Sequence, residues 1–426
     1  MKSGIDPAIA APVAADTRPG LWLRLARTAL YASLERLEHG ELHLIDADGH
    51  FKFGRRSAEC PLSTTLHIRD PRFYADTVLG GSVGAGESYV RGDWSCDDLT
   101  VLVRLLVRNR HVLNGLEDGL ARLRRPLFKL FHHLNRNSRR GSARNIAAHY
   151  DLGNDLYRLM LDDTMAYSCG IFEDEASTLA QASRAKFDAA CHKLALGPAD
   201  HLLEIGTGWG GMALHAAREY GCRVTTTTIS RAQYEWARER VAAAGLEGRI
   251  TLLLEDYRNL SGRFDKLVSI EMIEAVGPQY LDGYFHQCSA LLAADGAMLL
   301  QAITIQDQHY EQALRSVDFI QRYIFPGSFI PSIAAMADSI RRATDFKIFH
   351  LQDIGPHYAR TLAEWRRNFF AHLPQLRALG YSESFVRLWE FYLCYCEGGF
   401  AERQLGDVQM LLTKPRSRRA ALPALY

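Results

Sequence analysis

The chain has 426 residues, 47% of them apolar and 23% charged, which allows two domains with sizeable cores and is ordinary for a soluble protein. A formal net charge of +1 selects no particular charged partner. The eight cysteines are scattered and Cys394-x-Cys396 lacks zinc-site spacing, so a reduced, cytoplasmic protein is expected, with no export signal and no window of about 18 apolar residues to span a membrane.

Residues 1–19 are rich in Ala and Pro and read as a disordered leader. From Leu21 to Leu37 apolar residues share one helical face, giving either a buried helix, the favoured reading, or a membrane-surface helix. Short runs follow at Glu41–Ile45, Phe51–Phe53 and Thr64–Ile68, with turn residues between them, and read as strands with a hairpin. The run Gly80 to Gly86 has no Lys and no preceding apolar strand, so a flexible turn is expected there rather than a phosphate loop. Leu99 to Leu113 is helical in pattern. Residues 20–120 thus form a small α+β domain, which docks on lipid or on a second copy of the chain as a homodimer.

The linker 121–144 carries Arg122, Arg124, Arg125, Lys129, Arg136, Arg139, Arg140 and Arg144 and no acid, with Leu and Phe interleaved in its first half. An anionic membrane surface is the favoured partner; a solvated face and nucleic acid are the alternatives, and nucleic acid is not expected.

From about 145 the pattern becomes α/β. Runs at 201–205, 223–229, 250–254, 265–270, 297–303, 346–350 and 407–412 read as strands, and 211–219, 231–244 and 279–293 as helices. This alternation predicts a doubly wound, mostly parallel, seven-stranded sheet, with a helical insert at 306–345 and aromatic-rich helices over 360–404. The tail 415–426 is expected to be loose.

The stretch His201-Leu-Leu-Glu-Ile-Gly-Thr-Gly-Trp-Gly-Gly211 ends a strand in glycines and opens a helix. Glycines there let main chain approach a ligand closely, outside the carboxyl end of a strand. Gly206-x-Gly208-x-Gly210 is not the dinucleotide spacing, and no Gly-Lys-Ser/Thr loop is present. An acid before such a turn, here Glu204, is similar to the first motif of the S-adenosylmethionine (SAM) methyltransferases.

Five further stretches carry a family resemblance. They are Asn145-Ile-Ala-Ala-His-Tyr-Asp-Leu-Gly-Asn-Asp155, Met165-Ala-Tyr-Ser-Cys169, Glu271-Met-Ile-Glu-Ala-Val-Gly277, Tyr323-Ile-Phe-Pro-Gly327 and His357-Tyr-Ala-Arg-Thr-Leu362. With the glycine turn, they closely resemble the cyclopropane-fatty-acyl-phospholipid synthases and the related mycolic acid cyclopropane synthases, over residues 145–414. The resemblance implies SAM as cosubstrate, held by Tyr167, Ser168, Leu202, Leu203, Glu204, Ile205, Gly206, Thr207, Gly208, Trp209, Gly210, Thr228, Ile229, Gln233, Tyr257 and Arg258. It implies methyl transfer to the double bond of an acyl chain, through a carbocation that aromatic faces can stabilise. Tyr323, Phe325, Tyr358, Trp365, Phe369 and Phe370 are the aromatics at hand.

In that family a bound bicarbonate removes the proton from the added methyl. The matching ligands here are Cys169, Glu274, Tyr358 and the main chain of Ile303, while Gln301 stands at the histidine position. Gln can hydrogen-bond an anion or Glu274 but cannot carry a proton. The expected activity is cyclopropane formation on an unsaturated phospholipid, by a peripheral enzyme on the inner leaflet of the cytoplasmic membrane, with no metal. The alternatives are a methylene- or methyl-branched product and a non-catalytic lipid-binding protein. Cys169 is expected to line the site without acting as a nucleophile, and Glu271 is not among the residues carried over.

Overall fold

The structure is a computed structural model that describes residues 20–112, 115 and 153–422. The leader at 1–19 and the basic linker at 121–144 lie outside the described residues, as does most of the Asn145–Asp155 motif. The chain divides into two compact units. Among the described residues the first contains 20–112, 315–324 and 365–404, and the second contains 153–314, 325–364 and 405–422. The helices at 365–404, read from sequence as part of the 145–414 segment, therefore fall in the first unit.

In the first unit, β1 (Gly40–Asp46), β2 (Gly49–Arg55), β3 (Ser63–Ile68) and β4 (Trp94–Cys96) form a sheet of order β2-β1-β3-β4. Leu42 and Leu44 of β1 alternate inward. Helix Leu21–Leu34 buries Ala26, Leu30 and Leu34 at a spacing of four, while Leu21, Trp22 and Leu25 are exposed. The glycine run does not form the expected turn. It lies inside helix Arg72–Arg91, which kinks where Gly81 adopts φ 57°. The glycines serve close packing: a Cβ on Gly84 would meet Asp76 O at 2.0 Å, and one on Gly86 would meet the Phe319 ring at 2.4 Å. Gly398 of helix Glu383–Ala401 does the same, since a Cβ there would lie 2.6 Å from Val103.

The second unit is the expected α/β fold. Strands β5 (His201–Ile205), β6 (Arg223–Thr228), β7 (Ile250–Leu254), β8 (Phe264–Ile270), β9 (Leu292–Ile305), β10 (Lys347–Asp353) and β11 (Leu405–Thr413) form one sheet of order β10-β11-β9-β8-β5-β6-β7. Strands β5 to β9 pair in parallel, and β11 runs antiparallel to both β9 and β10. Buried on both faces, β5 and the second half of β9 read as near-continuous apolar runs rather than alternations. Leu203, Leu267, Met298 and Met410 point into one core layer; Leu202, Val224, Val268 and Leu299 point into the other. Helices Leu179–Leu194, Gly211–Glu219, Arg231–Ala243 and Leu281–Leu291 lie between strands in the chain. Thr178 starts the first of them with a capping box to Gln181.

Candidate active site

The glycine turn leaves β5 at Ile205. Gly206 N and Thr207 N both donate to Thr227 O at 3.1 Å, tying the turn to β6. Gly206, Gly208 and Gly210 have φ of 103°, 52° and 87°, a region that strains other residues. A Cβ on Gly208 would have no atom within 4 Å, so a ligand has room against bare main chain there. Glu204 is buried just before the turn, and its Oε2 accepts from Thr226 Oγ1 at 2.6 Å. Burial pushes the Glu204 carboxyl up to about 8, against the Thr226 bond and the Lys186 charge.

Aromatic rings line up beside this turn. Trp209 is buried, its Nε1 donates to Asn154 Oδ1 at 2.9 Å, and its ring centre lies 4.7 Å from that of Tyr157. Tyr157 lies 5.2 Å from Tyr167, which lies 6.4 Å from Phe325. Beyond β6, Thr228 Oγ1 bonds Gln233 Oε1 at 3.0 Å. Tyr257 packs edge-on against Tyr284, and Arg258 is engaged by Asp256 at 2.8 and 2.6 Å.

A second constellation gathers at the ends of β8, β9 and β11. Sheet register brings it together, because Ile270 pairs with Gln301, Gln301 with Gln409, and Ile303 with Asp407. Glu271 follows β8 directly. Its Oε1 accepts from Cys169 N and from Gln301 Nε2, each at 2.8 Å, and its Oε2 accepts from Tyr358 OH at 2.6 Å. Gln301 Nε2 also reaches Asp407 Oδ2 at 3.1 Å and Cys169 O at 3.5 Å, while its Oε1 accepts from Gln409 Nε2 at 3.0 Å. Lys193 Nζ donates to Gln409 Oε1 at 2.5 Å. Glu274 stands apart from this net. Its Oε1 accepts from Ile303 N at 2.6 Å, and its Oε2 is enclosed without a partner.

Charge in this enclosed place is held down. Burial and the nearby Glu271 push the Glu274 carboxyl up to about 8, so it is protonated at neutral pH. Asp407 is pushed far up by burial and by Glu271. The Cys169 thiol is pushed well up by burial, then by Asp407 and Glu271, so it is neutral and no nucleophile. Lys186, fully buried on helix Leu179–Leu194, donates to Ser168 Oγ at 2.5 Å. Burial lowers its pKa, and Glu271, Cys169 and Asp407 oppose that.

The family model described as mycolic acid cyclopropane synthetase matches residues 137–410. The chain belongs to the mycolic acid cyclopropane synthetase family. It is 37% identical over 385 residues to the tuberculostearic acid methyltransferase of Mycobacterium tuberculosis, covering 88% of each chain. It is 36% identical over 361 residues to the cyclopropane-fatty-acyl-phospholipid synthase of Escherichia coli, covering 82% of this chain and 87% of the relative. Among solved structures it resembles a mycolic acid cyclopropane synthase complexed with SAH and CTAB, with a TM-score of 0.60 and 33% identity over 64% of this chain and 98% of that one. This cyclopropane synthetase family member is a SAM-dependent methyltransferase, and SAM is its cosubstrate.

Three groups stand out among the residues singled out in the sequence. Glu204, Gly206, Thr207, Gly208, Trp209 and Gly210 surround the turn, with Tyr167 reached from Trp209 through Tyr157. Leu202, Leu203 and Ile205 commit their side chains to the two core layers. Cys169, Gln301 and Tyr358 meet at Glu271, not at Glu274, and Gln301 makes no bond to Glu274 among the described residues. The donor groups that the resemblance assigns to bicarbonate are thus occupied. Cys169 N, Gln301 and Tyr358 OH bond Glu271, Ile303 N bonds Glu274, and the residues present do not fit a separate anion. Of the six aromatics named for a carbocation, Phe325 and Tyr358 belong to the unit of the glycine turn. Tyr323, Trp365, Phe369 and Phe370 belong to the other, where Trp365 and Phe369 are buried and Tyr323 bonds Glu87 at 2.5 Å.

Sequence reasoning missed Glu271, Asp407, Gln409 and Lys186. Glu271 had a usable signal, since it ends a strand of an open α/β sheet, where ligands bind. Lys186 had none, because a Lys on a helix reads as solvated.

Proposed function

We propose that this enzyme transfers the methyl group of SAM to the double bond of an unsaturated fatty acyl chain of a phospholipid and closes the added carbon into a cyclopropane ring. The enclosed carboxyl cluster around Glu271, with the neutral Cys169 thiol beside it, carries this reading. An alkene needs no protein nucleophile. It needs the sulfonium methyl in line, water excluded, and an acceptor for one proton. Tyr167, Ser168, Leu202 to Gly210, Thr228, Ile229, Gln233, Tyr257 and Arg258 hold SAM, with Glu204 facing its hydroxyl or cationic groups. The name of the Escherichia coli relative supports the acyl and phospholipid parts.

A second reading stops short of the ring and gives a methylene- or methyl-branched chain. Gln301 favours it, because an amide cannot relay the proton that a histidine could.

The enzyme works as a peripheral protein at the inner leaflet. Leu21, Trp22 and Leu25, exposed on one helix, support this, as does the basic composition of 122–144. No helix among the described residues is long and apolar enough to cross a membrane.

Incubation with SAM and vesicles of monounsaturated phospholipid tests the reaction by mass. A gain of one CH2 that resists hydrogenation is the ring, and a product that takes up hydrogen is the methylene. No change across head groups and double-bond positions sinks both. Sedimentation with anionic vesicles tests the membrane part. Binding that survives replacement of Trp22, Arg122, Arg124, Arg125 and Lys129 by Ala removes these residues as the anchor.

A further inference from the structure

Cys169 N–H, the Gln301 amide and Tyr358 OH, three of the groups that would hold a free anion in this family, all close on one protein carboxylate. We propose that Glu271 is the general base of the reaction, built into the place of a dissociable bicarbonate. The inference rests on the reading that an added methyl must lose a proton.

Several observations converge on Glu271. Both its oxygens accept, from three donors in all, which is the bonding pattern of a carboxylate and not of a carboxylic acid. Two oxygens on one carbon are also the part of bicarbonate that those donors would meet. The orientation of the Gln301 amide is forced. Lys193 donates to Gln409, Gln409 Nε2 donates to Gln301 Oε1, and the Gln301 NH2 is left to face Glu271. An imidazole at 301 could move a proton; a clamped amide can only hold the carboxylate still. Gln301 and Glu271 therefore form one device, in which the positioning residue need not titrate because the base is covalently part of the chain. The main chain is committed as well. Glu271 sits at φ 48°, a left-handed region that strains a residue with a side chain, while its N–H donates to Gln301 O at 2.8 Å. Strain of that kind persists only where the surroundings fix it. Beside the cluster, Nζ of the fully buried Lys186 donates to Oγ of Ser168, the residue that precedes Cys169. Glu274 is the rival base, but its enclosed carboxyl has one donor, Ile303 N, and one unpartnered oxygen.

The step balances. The carbon–sulfur bond of SAM breaks with its pair staying on sulfur, and the π pair of the alkene forms the new carbon–carbon bond. A proton then leaves the added methyl for a Glu271 oxygen. The released carbon–hydrogen pair closes the ring onto the cation, and the carboxyl is left neutral until product leaves.

The experiment compares wild type, Glu271→Gln and Glu271→Gly in buffer stripped of carbon dioxide, with and without added sodium bicarbonate. Vesicles of dioleoyl phosphatidylglycerol and dioleoyl phosphatidylethanolamine are the substrate, and SAM affinity is followed by calorimetry. Wild-type turnover should be indifferent to bicarbonate. Glu271→Gln should lose about 10²- to 10⁴-fold in kcat while still binding SAM. Glu271→Gly, unstrained at this φ, should regain turnover when bicarbonate fills the vacated place. A purely structural role predicts neither the wild-type indifference nor the rescue. Wild-type turnover that needs bicarbonate, or near-normal turnover by Glu271→Gln, overturns the proposal. Binding of 13C-labelled bicarbonate, followed by NMR, decides the matter without turnover: Glu271→Gly binds it and wild type does not, and a wild-type site that binds it sinks the idea. If wild type binds no bicarbonate yet converts no olefinic lipid, the substrate reading falls and not the assignment of the anion's place.

Discussion

Gln409 Nε2 donates to Gln301 Oε1 at 3.0 Å across the antiparallel pair of β9 and β11. The bond decides which way the Gln301 amide faces, and hence that Glu271 receives a donor. Gln301→Leu removes that donor and leaves Gln409 and Asp407 short of a partner in a dry place. Stability should fall by about 1–3 kcal/mol, and turnover should fall far more than SAM affinity. Gln409→Leu frees the amide to turn, so its loss of turnover should be the smaller of the two. Steady-state kinetics with calorimetry checks both. Equal loss in the two variants would contradict the clamp.

Stability should decline as pH rises from about 5 to 8. Glu204 and Glu274 start from 4.5 and are each raised to about 8. Between these values the unfolded chain has lost the two protons that the folded chain keeps, so raising pH favours unfolding. Asp407, pushed well up by burial and by Glu271, adds to the same slope. Thermal melting without SAM should give a Tm several degrees lower at pH 8.5 than at pH 5.5. Glu274→Gln should flatten the profile, and an unchanged slope in that variant removes Glu274 from the account.

Glu204 and Thr226 give a separate test at the turn. Thr226→Val deletes the one protein hydrogen bond described for the Glu204 side chain, at a cost of about 1–3 kcal/mol. Glu204→Gln keeps the size but replaces one acceptor oxygen with an NH2 and removes the ability to ionise when a cationic or hydroxyl-bearing ligand arrives. SAM affinity should drop by about tenfold or more in the second variant, which corresponds to about 1.4 kcal/mol. Full affinity in Glu204→Gln would place the contact elsewhere.

SAM with a trideuterated methyl group reports where the proton leaves. Loss from the added methyl, to a base beside it, gives a product with two deuterium atoms. Loss from the acyl chain gives one with three. Mass spectrometry of the wild-type product should show two, and three would mean that the base faces the chain instead.

Gly86 tests the packing of the glycine-rich helix. A Cβ there overlaps the Phe319 ring at 2.4 Å, so Gly86→Ala should cost about 1–3 kcal/mol by overpacking. Chemical denaturation measures it. Wild-type stability would mean that the ring yields freely.

The second unit's architecture, the glycine turn and the family were legible in the chain before it folds. These rest on local signals: apolar runs of strand length, helical spacing between them, and glycines where φ must be positive. The expected strands at 223–229, 250–254 and 265–270 lie within two residues of β6, β7 and β8 at either end. Local pattern misread Gly80 to Gly86, because glycines that admit Phe319 look the same in sequence as glycines that make a turn. Which carboxyl receives the donors is settled by folding. Glu271 and Glu274 lie three residues apart in one motif, and nothing local separates them. The choice is made by Cys169, Gln301 and Tyr358, which are 102, 30 and 87 residues away along the chain. Sheet register sets Gln301 beside Gln409 and the end of β8. Hydrogen bonds and burial are properties of the assembled interior, where a charge needs partners that sequence neighbours do not supply.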